Sequence, residues 1–320
     1  MNKVLITGGT GFVGSVLIAE LKRKSNIKFF SAVREINTSI DDVTIVVGNI
    51  DGFTDYSAVI KDIDVVIHCA ARAHIMNDES TEPLAEYRKV NVEGTLNLAK
   101  QAIKAGVKRF VFVSSIKVNG EHSPLGKPFR SSDIPNPLDC YGVSKSEAEK
   151  QLIELSDATG LEVVIIRPTL VYGPGVKANF ASLMNLASKG IPLPFGCITK
   201  NKRSLVSVTN LVDLIITCID HPKATNQVFL ASDDHDISTS EMVREMLIAL
   251  DKPSWQLPVP IWCYKLMGKL FNKSDVVERL TNSLQVDISH TKDTLGWKPP
   301  QSLQEGFKQT AQAFLQVKTK

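Results

Sequence analysis

The sequence predicts an α/β fold, a doubly wound parallel sheet with helices on both faces, from three observations. Short β-branched apolar runs alternate with segments whose apolar residues recur at helical spacing. A glycine-rich turn follows the first of these runs directly, and after Arg167-Pro168 the texture changes to shorter, proline-interrupted elements. Near-continuous apolar strands are expected where helices cover both faces of a parallel sheet, which makes the arrangement Rossmann-type.

Taken in order, Val4–Thr7, Phe29–Val33, Thr44–Val47, Asp64–Cys69, Phe110–Ser114 and Val163–Arg167 have strand length and are bounded by Gly, Asp or Ser. Between them, Gly14–Lys24, Pro83–Ala105 and Tyr141–Thr159 have helical periodicity. Beyond Arg167, Pro174, Pro192, Pro194, Pro222, Pro253 and Pro258 break a smaller, loop-rich lobe. One further strand–helix piece, about 205–219, is expected to return to the main sheet. The lobes then interleave: 1–172 plus about 203–231 form the sheet domain, and about 173–202 plus 232–320 form the smaller C-terminal substrate lobe. The segment 261–271 is apolar enough to be a surface anchor or a lid, and ordinary packing against that lobe is the favoured reading.

Composition narrows the function. The 320 residues are 43% hydrophobic and 22% charged, ample for a large core. Scattered basic residues and a net charge of +3 give no footprint for nucleic acid. Five cysteines without a C-x-x-C pair fit a reducing compartment, and the short apolar start and lack of a span of ~20 apolar residues fit a cytoplasmic protein. No His/Cys/Asp cluster has metal-ligand spacing, so no metal is expected.

The chemistry begins at Thr7-Gly8-Gly9-Thr10-Gly11-Phe12-Val13-Gly14. Glycines at 8, 11 and 14 permit a tight turn, close approach of the backbone to a pyrophosphate, and close helix–sheet packing, while the helix start supplies N–H donors. The acid that would accept the ribose hydroxyls of NAD is replaced by Arg34, which suits the 2′-phosphate of NADP(H), with Glu35 adjacent. NADP(H) is therefore expected over NAD. Tyr141 and Lys145 stand i, i+4 at a helix start, where the ammonium is expected to lower the phenol's pKa and make it an acid or base. Ser115, last of the strand Val111–Ser115, is placed to meet the same substrate oxygen.

Together with Ala70-Ala71, Asn91 and the run Arg167–Pro174, these motifs resemble, in order, the extended short-chain dehydrogenase/reductases of the nucleotide-sugar epimerase family. The resemblance implies that Asn49 and Ile50 flank the adenine and that Ala70, Ala71 and Asn91 line the cofactor. It further implies that Tyr141 transfers the proton, Ser115 holds the reacting oxygen and Lys145 bridges the nicotinamide ribose. A nucleotide-diphosphate pocket is implied at Asn179, Arg203 and Arg279. By their own positions Lys117 and His74 are candidate sugar contacts, with a solvated lysine the alternative for Lys117. His68 reads as a satisfied core histidine. A homodimer through 83–105 and 141–159 is implied as well. Arg34 and the segment 111–120 favour a 4-keto-6-deoxy-N-acetylhexosamine 4-reductase acting on a UDP-sugar. The alternatives are a UDP-hexose 4-epimerase and, more distantly, a non-catalytic cofactor sensor. The missing acids after Ser115 disfavour a 4,6-dehydratase.

Overall fold

The computed structural model describes residues 2–24, 27–35, 44–73 and 81–318, apart from the side chains of Ala178 and Asn179. Seven parallel strands form the main sheet: β1 (Lys3–Thr7), β2 (Lys28–Val33), β3 (Thr44–Val46), β4 (Val65–His68), β5 (Arg109–Val113), β6 (Glu162–Pro168) and β9 (Gln227–Ala231), in the order β3-β2-β1-β4-β5-β6-β9. Helices α1 (Phe12–Arg23) and α6 (Val208–Thr217) pack on one face, where Val4, Ile6, Leu17, Val111, Leu211 and Ile215 are buried together. On the other face α3 (Thr95–Lys104) and α4 (Cys140–Thr159) cover Leu5, Val66, Phe110 and Phe112. Burial on both faces explains why the strands carry no polar alternation.

Register places the site. Thr7 pairs with His68 and His68 with Phe112, so the turns after β1, β4 and β5 leave the sheet side by side at the carboxyl edge. In an open α/β sheet that edge is where ligands bind.

The predicted helix 83–105 is interrupted. It divides into α2 (Pro83–Arg88), a π-helical segment (Lys89–Gly94) and α3. Such wide turns concentrate at functional sites, and this one carries Asn91. Gly94 lets Ile50 close on it, since an added Cβ would lie 2.9 Å from the Ile50 methyl.

Two parts of the expected domain division differ. The strand of the 205–219 piece, β8 (Arg203–Ser207), does not return to the main sheet. It joins β7 (Leu170–Tyr172) and β10 (Asp236–Ile237) in a separate three-stranded sheet. β9 takes the place beside β6 instead. Both strands carry a buried apolar stretch, Leu205-Val206 in β8 and Phe229-Leu230-Ala231 in β9, and hydrophobicity does not record which backbone a strand pairs with. Further on, α10 (Ser289–Leu295) carries Leu295, which together with Leu284, Val286 and Trp297 belongs to the core under the main sheet and not to the C-terminal lobe. That lobe's own core gathers Tyr172, Phe180 and Met184 with α7 (Thr239–Ala249) and α11 (Leu303–Lys318), while α5 (Ala178–Ala187), α8 (Ile261–Leu270) and α9 (Ser274–Thr281) complete it. The segment 261–271 packs on that lobe along one face, through Tyr264 and Gly268, while Trp262, Leu266, Leu270 and Phe271 are exposed. Among the described residues, no helix is long and apolar enough to cross a membrane.

Candidate active site

β1 ends at Thr7, and Gly8 turns the chain at φ +75°, where a Cβ would stand 2.5 Å from the Ala70 amide nitrogen. Gly14 in the first turn of α1 is equally constrained, since its Cβ would lie 2.2 Å from the Gly8 carbonyl oxygen. Gly11 donates its N–H to that same oxygen at 2.9 Å and begins α1 without a side-chain cap. Phe12 and Val13 anchor the helix start in the core. The result is a side-chain-free cradle at a helix N-terminus, a fit for a dinucleotide pyrophosphate.

Around it, Ala70 is buried and Ala71 half-buried. Asn91 is fully buried. Its Oδ1 accepts from the Arg72 N–H at 2.8 Å, and its Nδ2 donates to the Arg72 carbonyl at 3.0 Å and to Ser144 Oγ at 2.9 Å. It thereby clamps the loop after β4 to α4. Asn49 is exposed, with its carbonyl taken by the Thr54 hydroxyl at 2.5 Å, and Ile50 is half-buried beside Gly94. Arg34 and Glu35 both stand exposed just past β2. His68 is the core histidine expected: Nδ1 bonds the Thr7 hydroxyl at 2.6 Å, Nε2 the Thr95 hydroxyl at 3.0 Å, and burial, aided by the Lys145 charge, holds its pKa down at about 3.

α4 delivers Tyr141 and Lys145. Asp139 caps the helix, its Oδ1 accepting from the Gly142 N–H at 2.7 Å, and Gly142 lies so close to the Lys117 carbonyl that a Cβ would stand 2.8 Å away. This contact brings the helix start onto the turn after β5. Ser115 is there, half-buried, and its hydroxyl hydrogen-bonds the Tyr141 phenol. Tyr87 closes the other side, with ring centroids 6.2 Å apart, and the Arg72 guanidinium lies 5.5 Å from the Tyr87 ring.

The electrostatics depart from expectation. Burial pushes the Tyr141 phenol well up, not down; Asp139 reinforces this and the Ser115 hydrogen bond opposes it. Lys145 does not point its charge at the phenol. Its Nζ donates to the Val113 carbonyl at 2.9 Å and lies 4.3 Å from the Phe112 ring centroid. Burial pulls its pKa to about 8 against the opposing influence of Cys69 and Glu149.

Beneath Lys145 lies a buried network without an individual signal in the sequence. Glu149 accepts from the Ser114 hydroxyl and from Arg167 Nε at 3.0 Å, and Arg167 Nη1 reaches Asn119 Oδ1 at 2.9 Å. These bonds tie β5, α4 and β6 together. Only the spacing 141, 145, 149, one helix face, signalled Glu149.

Lys117 is ion-paired with Asp139 and with Glu121, the latter at 3.2 Å. Burial pulls its pKa down, but the two carboxylates outweigh this and raise it. Arg203 and Arg279, 76 positions apart, come together: Arg203 Nη1 donates to the Arg279 carbonyl at 2.7 Å. Burial, with the Arg279 charge adding to it, lowers the pKa of Arg203. Two neighbouring guanidinium groups suit a diphosphate. The side chain of Asn179, and His74 altogether, lie outside the described residues. No group of three or more His, Cys, Asp or Glu side chains fit for a metal occurs among the described residues.

Residues 4–231 match the model of the NAD dependent epimerase/dehydratase family. The chain belongs to that family. It is thus an extended short-chain dehydrogenase/reductase, as its motifs implied. It is 67% identical, over 99% of its own length and 96% of the relative's, to a protein of Vibrio cholerae described as UDP-glucose 4-epimerase. Its fold is shared with the UDP-glucuronic acid 4-epimerase of Bacillus cereus solved with NAD, at TM-score 0.79, 20% identity and 98% and 99% coverage. RMD of Pseudomonas aeruginosa, solved with NADPH, shares it at TM-score 0.73, 20% identity and the same coverage. The Vibrio relative overturns the 4-keto reductase favoured from Arg34 and 111–120. Both kinds of enzyme use the same Ser/Tyr/Lys machinery, so one strand segment and one exposed arginine do not separate them.

Proposed function

We propose that the protein is a UDP-hexose 4-epimerase. The observation that carries this is the 67% identity along nearly the full chain to the Vibrio UDP-glucose 4-epimerase, supported by a site in which Ser115 and Tyr141 share a hydrogen bond beside the glycine cradle. In this reading Gly8, Gly11, Phe12, Val13 and Gly14 hold the cofactor pyrophosphate. Asn49 and Ile50 flank the adenine, Ala70, Ala71 and Asn91 line the remainder, and Arg203 with Arg279 grips the substrate diphosphate, joined by Asn179.

An oxidised nicotinamide held in that cradle would supply a reversible acceptor for the C4 hydride of the sugar. The chain manages the matching proton. Tyr141 takes it from the C4 hydroxyl as hydride leaves and returns it after the 4-keto sugar has presented its other face. Ser115 holds that oxygen, and Lys145, buried and fixed by Val113, orients the ribose. To accept that proton Tyr141 has to enter the step as the phenolate, the form that burial disfavours, so the positive charge of an oxidised nicotinamide, when bound, would have to favour it.

Hydride that is returned requires no exchange of cofactor, so NAD⁺ is the fitting resident, with Glu35 rather than Arg34 towards the adenosine ribose. The family's description as NAD dependent supports this choice. The reading includes the two interleaved lobes, with corrected membership for β8 and α10. It also includes a homodimer through 83–105 and 141–159.

Purified protein, denatured to release small molecules, is expected to yield NAD⁺, and the native protein to interconvert UDP-glucose and UDP-galactose without added cofactor. Protein that interconverts neither sugar when loaded with NAD⁺ contradicts the reading.

A further inference from the structure

Away from the site, one face of α8 is apolar and exposed. Trp262, Leu266 and Leu270 stand at i, i+4 and i+8, a single stripe, and are 66%, 59% and 72% exposed, with Phe271 just beyond. The opposite face fixes the helix. Gly268 is buried against α9, where an added Cβ would lie 2.8 Å from Val277, and Tyr264 stacks on Phe195 at 6.5 Å between centroids. Lys265, Lys269 and Lys273 are exposed within a turn of the stripe, and no acidic residue occurs from Ile261 to Lys273.

We propose that this face docks the protein on the surface of an anionic lipid bilayer. Apolar side chains held in water gain by entering the acyl boundary, and an indole favours that boundary because its ring is apolar and its N–H polar. Lysine stems lie along the apolar layer while their ammonium groups reach the phosphates. A protein partner would have to cover the same three lysines, and interface centres are depleted in lysine. The helix has ten residues, about 15 Å against a hydrocarbon layer of about 30 Å, so it lies in the surface plane and does not cross. α9, packed on α8, carries Arg279, which puts the docked face one helix away from the Arg203–Arg279 pair.

The test is co-sedimentation of the intact protein with phosphatidylglycerol/phosphatidylethanolamine vesicles and with phosphatidylcholine vesicles, which requires no turnover. Binding to the anionic vesicles is expected, weakened by salt and about tenfold or more above that to phosphatidylcholine. Leu266→Ser/Leu270→Ser/Phe271→Ser, and separately Lys265→Glu/Lys269→Glu/Lys273→Glu, should each lower binding about tenfold or more while keeping the native circular dichroism spectrum. Protein that stays in the supernatant with both vesicles, or variants that bind as wild type does, overturns the proposal. So does a lower oligomeric mass of the apolar variant by light scattering, which would assign the face to a second copy of the chain.

Discussion

The two ends of the site are built differently. At the start of α4, three charges around Tyr141 are fixed: Lys145 by Val113, Glu149 by Ser114 and Arg167, Asp139 by Gly142 and Lys117. In the α8–α9 hairpin Arg279 is exposed, bonded through its Nε only to the carbonyl of Asp275 at 3.2 Å, and apolar side chains face water. In the proposed reading the first region holds atoms in place for proton transfer and the second offers charge to the substrate diphosphate. Substitutions should therefore affect turnover and folding at the first region and affinity at the second.

The largest effect is expected from Tyr141→Phe, which removes the transferable proton and keeps the ring. Turnover should fall by ~10²–10⁴ while cofactor content stays near that of wild type. Turnover within a factor of about two of wild type would remove Tyr141 from the chemistry. Glu149→Ala tests the fixed framework through stability. Arg167 is 4% exposed and would be left as an uncompensated buried charge, at a cost of about 3–5 kcal/mol in denaturant unfolding. A loss near zero would mean that the network does not hold β5, α4 and β6 together.

Arg279→Ala probes the other end. Steady-state kinetics should show KM for the nucleotide sugar raised on the order of 10–100-fold with kcat little changed, the size of a lost charge-assisted contact. An equal fall in kcat at unchanged KM would place Arg279 in the chemistry and erase the distinction between the two regions.

The smallest expected effect is in the pH dependence of folding. His68 has its folded pKa depressed to about 3 from the usual 6.5, so the unfolded chain takes up a proton that the native state refuses. Its contribution is fully present above about pH 6.5 and is lost as pH falls towards 3, by ~1.4 kcal/mol for each pH unit. Unfolding of wild type and His68→Gln at pH 6 and pH 5 should differ in slope by about that amount, and identical slopes would show that His68 takes up a proton in the native state.

The fold, the glycine turn and the one-face placement of Tyr141 and Lys145 were legible because each leaves a local pattern. Gly8, Gly11 and Gly14 are glycines for steric reasons that recur at a fixed spacing, and Tyr141 with Lys145 is fixed by one helical turn. What escaped depends on tertiary pairing. The partner of β8 is chosen by backbone hydrogen bonds, the break at Lys89–Gly94 comes from packing against Ile50 and α4, and the upward shift of Tyr141 follows from burial that no spacing encodes. Arg203 and Arg279 were named only through resemblance, since 75 residues separate Arg203 from the Arg279 backbone carbonyl that its side chain reaches.

Return of hydride to the carbon that lost it is the step on which the epimerase assignment depends, and isotopic labelling follows it directly. UDP-galactose carrying deuterium at C4, incubated with the purified protein and no added cofactor, should become UDP-glucose with deuterium retained at C4, as read by mass spectrometry. Deuterium lost from the sugar into free cofactor, or conversion that proceeds only with added NAD(P)H, would contradict it.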